Sequence, residues 1–350
     1  MLIYNAKQLL TLAGDAQRGE NLGNLGVISN GAVLIRDGLV EAVGRSEELL
    51  VRYPGEERFD AGQKVVMPGF VDPHTHLIFS GDRAMEFEMR LEGKTYQEIM
   101  AAGGGIVNTV RQTRSASLED LVTSARGRMC GMLRHGTTSA EAKTGYGLDA
   151  ASELLQLQTI LKLAGEGGMD LFPTWMAAHA IPNEYANDPQ GYTDLIVHEM
   201  LTKLHFWWQE NASQQPLPFV DVFCEVGAFS LTQSRQILQK AKALGFPLKI
   251  HADEFENLGG ASLAAELGAA SADHLVKTSD EDIRALAKSD TVAVALPATP
   301  FGLGQCEYTP AQKIIAANGL LAIASDLNPG TAWCENMQFV IALSCRYLKL

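Results

Sequence analysis

The sequence predicts an α/β protein in which a (β/α)8, TIM-like barrel follows the first strands of a small β-sandwich domain. We place these strands in residues 1–63 and the barrel in residues 64–350. Two observations support this prediction. The first 63 residues contain short apolar segments separated by turn residues, and from Lys64 onward apolar segments alternate with amphipathic helical stretches. Such alternation is typical of a parallel sheet whose strands are connected by helices.

The N-terminal region is predicted to contain a β-hairpin over residues 31–44. Asp37 and Gly38 separate its two apolar arms. Glycine tolerates the positive φ that a tight hairpin turn requires. This pair therefore marks the turn.

Eight strands can be counted in the second region, which is the number that a (β/α)8 barrel needs. They are predicted at residues 65–71, 137–143, 171–178, 219–225, 248–252, 270–275, 291–296 and 320–325. Helical periodicity is clearest over residues 118–132, and Gly136 marks the end of that helix. Further helices are predicted at residues 148–163, 192–208, 230–244 and 281–287.

A doubly wound open sheet is the alternative architecture, but no GxGxxG motif follows an early strand. The run Gly103-Gly104-Gly105 follows a helix-like segment instead. This position favours a flexible turn over a phosphate-binding loop.

Composition narrows the classes of function. The net charge of −13, without a block of Lys and Arg, disfavours a nucleic-acid partner. The five cysteines are scattered and form no CxxC pair, so neither a disulfide framework nor a thiolate zinc site is indicated. The N-terminus lacks a secretion signal, and no apolar run approaches membrane-spanning length. We therefore expect a cytoplasmic protein without a membrane or nucleic-acid partner. The sequence does not fix the oligomeric state, for which we consider a homodimer.

Two histidines follow the first predicted barrel strand, in Asp72-Pro73-His74-Thr75-His76. Side chains alternate between the two faces of an extended segment, so His74 and His76 point to the same side. Two imidazoles on one face can share a cation. An isolated HxH pair is weak evidence, because two polar loop histidines would look the same.

Other polar residues stand at the ends of later strands, where barrel enzymes collect their catalytic groups. His251 ends the fifth strand, His274 the sixth, and Asp326 follows the eighth. Taken singly, His251 could be a core histidine and Asp326 a turn-former. Together, His74, His76, His251 and Asp326 predict a site for one divalent ion, and three nitrogen ligands with one carboxylate suit zinc or iron equally.

This arrangement resembles the amidohydrolase superfamily and, within it, the imidazolonepropionase family. The resemblance covers essentially the whole chain and rests on FVDPHTHLIFSGDRAMEF, AAGGGIVNTVRQTR, EAKTGYGLD, AAHAIPNEY, VDVFCEVGAFS, KIHADEF, SADHL and SDLNPGT. It implies hydrolysis of 4-imidazolone-5-propanoate to N-formimidoyl-L-glutamate, a step of histidine degradation. The predicted metal ligands also support hydrolysis without the resemblance, because a bound ion lowers the pKa of its water towards ~7 and polarises the attacked bond.

The resemblance also implies roles for individual residues. Asp326 orients the water and accepts its proton, His274 stabilises the developing oxyanion or relays a proton, and Glu254 contacts substrate and serves in acid–base chemistry. An arginine fork suits the carboxylate arm of the substrate. The implied substrate contacts are Arg83, Tyr146, His179, Glu254, Asn328, Gly330 and Thr331.

Several features depart from the superfamily pattern or leave alternatives open. Some members hold a second metal with a strand-four carboxylate or a carbamylated lysine, for which Glu225 and, more weakly, Lys143 are the candidates. Family members continue beyond Leu350 with a helix and strands that complete the sandwich, so the small domain is expected to be incomplete. An aminohydrolase of purine or pyrimidine rings would use the same metal residues, although Arg83 and Tyr146 argue against it. A truncated protein that binds ligand without turnover is the other alternative.

Overall fold

The structure, a computed structural model, describes residues 1–94, 98 and 104–350. It divides into two compact units, Met1–Gly69 and Phe70–Leu350. The boundary between the two units falls after Gly69, whereas the sequence predicts a domain boundary after residue 63. Gly103 of the predicted flexible turn lies outside the described residues.

The first unit contains one five-stranded sheet. Its strands are β1 (Leu2–Leu10), β2 (Val27–Arg36), β3 (Leu39–Arg45), β4 (Arg58–Asp60) and β5 (Val65–Val66), and helix α1 (Ser46–Arg52) packs beside them. The order is β3-β2-β1-β4, with β5 also parallel to β1. Asp37 and Gly38, with φ of 50° and 77°, form the turn between β2 and β3, which confirms the predicted hairpin.

The first predicted barrel strand, residues 65–71, is wrong as a single element. Val65–Val66 pairs with β1 in the first unit, and the barrel strand β6 is only Phe70–Asp72. Pro68 has no N–H to donate to a ladder, which makes it a natural break between the two strands.

The second unit is a nearly closed eight-stranded parallel barrel, which confirms the predicted fold class. Its strands run in chain order from β6 to β13: β6, β7 (Thr137–Lys143), β8 (Asp170–Ala178), β9 (Phe219–Cys224), β10 (Leu248–Ala252), β11 (Ser271–His274), β12 (Val292–Ala295) and β13 (Leu321–Ile323). A parallel bridge between Thr75 and Leu327 joins the segments that follow β6 and β13. The carboxyl ends of the first and last strands therefore meet.

Helices cover the outside of the barrel, and several begin at the caps that their sequences encode. Ser117, Ser230 and Ser279 each accept a hydrogen bond from the backbone three residues later in a capping box. The helices are α2 (Ala84–Leu91), α3 (Ile106–Ser115), α4 (Leu118–Arg134), α5 (Ala150–Glu166), α6 (Pro189–Leu195), α7 (Leu201–Asn211), α8 (Leu231–Ala243), α9 (Gly260–Leu267), α10 (Asp280–Ala287), α11 (Ala298–Leu303), α12 (Ala311–Ala316) and α13 (Met337–Leu343). A π-helical turn, Ile196–Met200, links α6 to α7 inside the stretch predicted as one helix.

The main core lies between these helices and the barrel strands. Trp175, Ile160, Trp208 and Leu238 are wholly or almost wholly buried there. All five cysteines are free thiols. Among the helices that the structure describes, none is long and apolar enough to cross a membrane.

Candidate metal and substrate site

The backbone after β6 fixes the direction of the two motif histidines. His76 N donates to Leu327 O at 2.8 Å, and Asp326 N donates to His74 O at 3.1 Å. On the other side, Lys143 N donates to Thr75 O at 3.0 Å. The segment is thus held on both sides like a strand, which directs His74 and His76 towards the same region.

The structure brings the four predicted ligands together at the carboxyl ends of the strands. His74 Nε2 lies 3.4 Å from Asp326 Oδ1, and His76 Nε2 lies 3.7 Å from the same oxygen. His251 contributes the third imidazole, with its Nε2 3.2 Å from His76 Nε2. All four side chains are buried.

This donor set fits a divalent cation. His74 Nε2 and Asp326 Oδ1 are buried and have no hydrogen-bond partner, which is costly unless another group satisfies them. The donor atoms of His74, His76 and Asp326 lie within 4.8 Å of one another, and so do those of His74, His251 and His274. His274 therefore lies close enough to contribute a donor as well, although the sequence assigned it to catalysis.

Two of the site residues have strained backbone conformations. His274 has φ of 77° and Asp326 has φ of 54°. Positive φ is uncommon outside glycine and concentrates at functional sites. The backbone therefore turns away from the strand direction at His274, which ends β11, and at Asp326, which follows β13.

Burial controls the charge of the site. It lowers the pKa of the His74, His76 and His274 imidazoles well below their ordinary value, so these rings are neutral near pH 7 and suited to binding metal. It also raises the pKa of Asp326 to about 6. Burial, together with the nearby charge of Asp326, raises the pKa of Glu254 well above the ordinary range.

A cavity of about 150 Å³ opens beside these ligands. Apolar walls are supplied by Ile106, Phe223 and Phe255. The cavity is also lined by most of the predicted site residues, namely His76, Arg83, Tyr146, His179, His251, Glu254, His274, Asp326, Asn328 and Thr331. Gly330 instead lines a neighbouring cavity of about 530 Å³, which shares Arg83 and Thr331 with the first.

Arg83 is partly committed within the protein. Its Nε and Nη2 donate to the two carboxylate oxygens of Glu86 at 2.8 and 2.7 Å. Glu86 also accepts from Gly105 N at 2.8 Å. The Nε and Nη2 edge of the guanidinium group therefore faces Glu86. The remaining nitrogen, Nη1, lies beside Gly330 and takes no part in the ion pair with Glu86.

Tyr146 and His179 form an aromatic wall next to the predicted metal ligands. The rings of His76 and His179 are stacked, with centroids 4.7 Å apart, and the Tyr146 ring lies 5.2 Å from that of His179. His179 Nδ1 lies 3.0 Å from Gly145 O. Donation of its proton to that carbonyl leaves Nε2 as the other polar atom of the ring. Buried Glu153 holds the loop by accepting from the backbone of residues 145, 147 and 148.

Asn328 has less freedom to bind substrate than the sequence suggests. Its Oδ1 accepts from the backbone of Gly330 and Thr331 at 2.8 Å, and its Nδ2 donates to Asp326 O at 2.7 Å. These bonds fix the turn that follows Asp326. Asn328 therefore shapes the loop while lining the cavity.

Glu225 is engaged away from the metal ligands. Its Oε1 accepts from Val226 N at 2.7 Å, and its Oε2 accepts from Phe255 N and Glu256 N at 2.9 and 3.2 Å. The carboxylate thus holds the loop that carries Glu254. Glu254 Oε2 lies 3.6 Å from His274 Nδ1.

Sequence reasoning missed a cluster of charges inside the barrel. It consists of Glu141, Lys143, Asp221, Lys249 and Asp273, which we call the ionic cluster. Charged residues at strand positions in β7 and β9 were the available signal, because a buried charge requires a partner.

Comparisons with known proteins agree with this geometry. The family model "Imidazolonepropionase-like composite domain, bacteria" matches residues 31–55, and "Amidohydrolase family" matches residues 57–115. The chain is 51% identical to the imidazolonepropionase of Herpetosiphon aurantiacus and 47% identical to that of Symbiobacterium thermophilum. Both matches cover 100% of the chain and 82% of the relative.

Solved structures with the same fold are more distant in sequence. The guanine deaminase of Bradyrhizobium japonicum has a TM-score of 0.68 at 14% identity, covering 99% of this chain and 73% of the deaminase. The 5-methylcytosine deaminase of Klebsiella pneumoniae has a TM-score of 0.65 at 14% identity, covering 100% and 81%. At this identity the likeness supports the barrel fold alone.

Proposed function

This chain belongs to the imidazolonepropionase family of amidohydrolases, and we propose that it hydrolyses 4-imidazolone-5-propanoate to N-formimidoyl-L-glutamate in histidine degradation. The observation that carries the proposal is the convergence of His74, His76, His251 and Asp326 beside a small cavity. This convergence supports hydrolytic chemistry at the cavity, and the similarity of the whole chain to imidazolonepropionases supports the choice of substrate.

We propose that these four side chains hold one divalent ion, zinc or iron. The ion would act as a Lewis acid and lower the pKa of a bound water. The neutral imidazoles of His74 and His76 and the unpaired Asp326 Oδ1 support this assignment. Glu225 is occupied by backbone amides and Lys143 by carboxylates, so neither supports a second metal.

In the proposed reaction the ring C–N bond breaks as water adds to the carbon. Asp326, with its pKa raised to about 6 by burial, accepts a proton from the attacking water. Neutral His274 donates its N–H to the oxyanion that develops on the carbonyl oxygen. Glu254 keeps its proton in the buried site and delivers it to the departing ring nitrogen. Loss of the proton from Asp326 and return of a proton to Glu254 then restore both groups for the next turnover.

The remaining contacts select the substrate. Arg83 Nη1 would pair with the carboxylate arm, because the Nε edge of its fork is held by Glu86. Tyr146 would pack against the imidazolone ring and donate to it, whereas His179 would pack against the ring and accept a hydrogen bond through Nε2. Thr331 lines the same cavity as Arg83.

The experiment that tests this proposal follows the disappearance of imidazolonepropanoate with purified, metal-loaded protein. We expect turnover that stops on chelation and returns with added zinc or iron. Guanine and cytosine should be left unchanged under the same conditions. Deamination of either base without loss of imidazolonepropanoate would instead favour the aminohydrolase alternative, and metal binding without turnover of any of these compounds would favour a non-catalytic protein.

A further inference from the structure

The ionic cluster lies within the barrel and is almost completely enclosed. Lys143 at the end of β7 is fully buried, and its Nζ lies 2.6 Å from Asp221 Oδ2 and 2.9 Å from Glu141 Oε1. Lys249 Nζ lies 2.9 Å from Glu141 Oε2. Burying five charges is costly, and two ammonium groups among three carboxylates provide only partial neutralisation. Hydrophobic residues would fill this space more cheaply, so the cluster calls for a functional explanation.

Two carboxylates of the cluster contact two of the proposed metal ligands. Asp273 Oδ2 lies 2.6 Å from His74 Nδ1 in a hydrogen bond. Asp221 Oδ2 lies 2.9 Å from His251 Nδ1, close enough for a hydrogen bond although the atoms are not aligned for one, and Asp221 Oδ1 accepts from His251 N at 3.2 Å. A carboxylate at Nδ1 keeps the proton there and leaves Nε2 for the metal.

Lys143 connects these two carboxylates. Its Nζ is 2.6 Å from Asp221 Oδ2, the oxygen that faces His251, and 3.8 Å from Asp273 Oδ2, the oxygen that faces His74. Lys249 reaches only one of them, since its Nζ lies 3.5 Å from Asp273 Oδ2 and its other contacts are Glu141 and Pro73 O. One ammonium group therefore contacts the supports of two metal ligands that come from different strands.

We propose that Lys143 is a positioning residue for the metal site, acting through Asp221 and Asp273 on His251 and His74. Its ammonium group holds the two carboxylates at the Nδ1 atoms of the histidines, which fixes the tautomer and the direction of each ring. The inference rests on the proposed metal site and deepens it.

The test removes metal from the protein with a chelator and then measures its zinc affinity by competition with a chromophoric chelator. The melting temperature of the metal-free form is measured alongside. Lys143→Met should weaken zinc binding by about 10- to 100-fold, the range found for residues that support metal ligands. Lys143→Gln, which keeps a hydrogen-bond donor, should lose less. Lys249→Met serves as the matched control, because it removes an ammonium group of the same cluster that does not contact Asp221, and it should lose least.

A double variant identifies the route of the effect. In an Asp221→Asn background, Lys143→Met should cost clearly less affinity than in the parent, because one of the two carboxylates through which it acts, and the one it contacts most closely, is gone. Parental zinc affinity in folded Lys143→Met protein would overturn the proposal, as would equal losses in Lys143→Met and Lys249→Met. If neither Lys143→Met nor Lys143→Gln folded, the Lys143 ammonium group would be needed for the stability of the barrel, and the positioning role would be rejected. If the parent itself bound no metal or did not turn over, the proposed function would fail instead.

Discussion

A methyl group added at Gly330 should disable substrate recognition without removing the metal. A Cβ built at this position lies 2.2 Å from Arg83 Nη1 and 2.7 Å from its Cζ. Ordinary contact begins near 3.4 Å, so the guanidinium group would have to shift by about 1.2 Å. Nη1 is the nitrogen that we assign to the carboxylate arm. A misplacement of about 1 Å can cost about 10²-fold in rate, and we expect kcat/KM of Gly330→Ala to fall by that order.

The assay compares kcat/KM for imidazolonepropanoate with zinc content in the same preparations. Gly127→Ala is the control, since a Cβ at Gly127 in α4 meets nothing within 4 Å. It should leave both quantities at parental values. In an Arg83→Met background, Gly330→Ala should add little further loss, because the group that the methyl displaces is absent.

Two results would refute this reasoning. Parental kcat/KM in Gly330→Ala would mean that Arg83 moves freely or does not meet the substrate. An undiminished effect of Gly330→Ala in the Arg83→Met background would mean that the methyl acts on the loop rather than on the guanidinium group.

Three further predictions concern the metal and the chemistry. The double variant His74→Ala, His76→Ala should lose nearly all bound zinc, as measured by elemental analysis, and full occupancy would contradict the ligand assignment. His274→Asn should keep its zinc while kcat falls by about 10²-fold or more, and a parental kcat would remove His274 from the mechanism. Because burial raises the pKa of Asp326 to about 6, protons compete with metal below that pH. Zinc affinity should therefore be nearly constant above about pH 7 and fall by about tenfold per pH unit well below pH 6, and a slope that persists in Asp326→Asn would exclude this carboxyl as its source.

The sequence was sufficient to predict the barrel and the convergence of His74, His76, His251 and Asp326 because their signals are local. Most strands contain an apolar run, and parallel strands bring their carboxyl ends to one face, so His251 and Asp326 could be placed near His74 without knowing any contact. The first strand was misjudged because Val65–Val66 is as apolar as Phe70–Asp72, and only the pairing of the former with β1 separates them.

The supporting contacts could not be read from the sequence because they join residues far apart in the chain. Asp273 pairs with His74 across 199 positions, and Lys143 pairs with Asp221 across 78. Arg83 shows the opposite case. Its partner Glu86 is three residues away, in the first turn of the helix that Arg83 precedes, and this spacing could have revealed that the fork is partly occupied.

The central claim is that one divalent ion, held by His74, His76, His251 and Asp326, is required for opening the imidazolone ring. The most direct measurement titrates zinc or iron into chelated protein and follows both bound metal and loss of imidazolonepropanoate. We expect activity to rise from zero in proportion to bound metal and to reach its maximum at one equivalent per chain. Turnover by the metal-free protein, or a maximum reached only at two equivalents, would contradict this account.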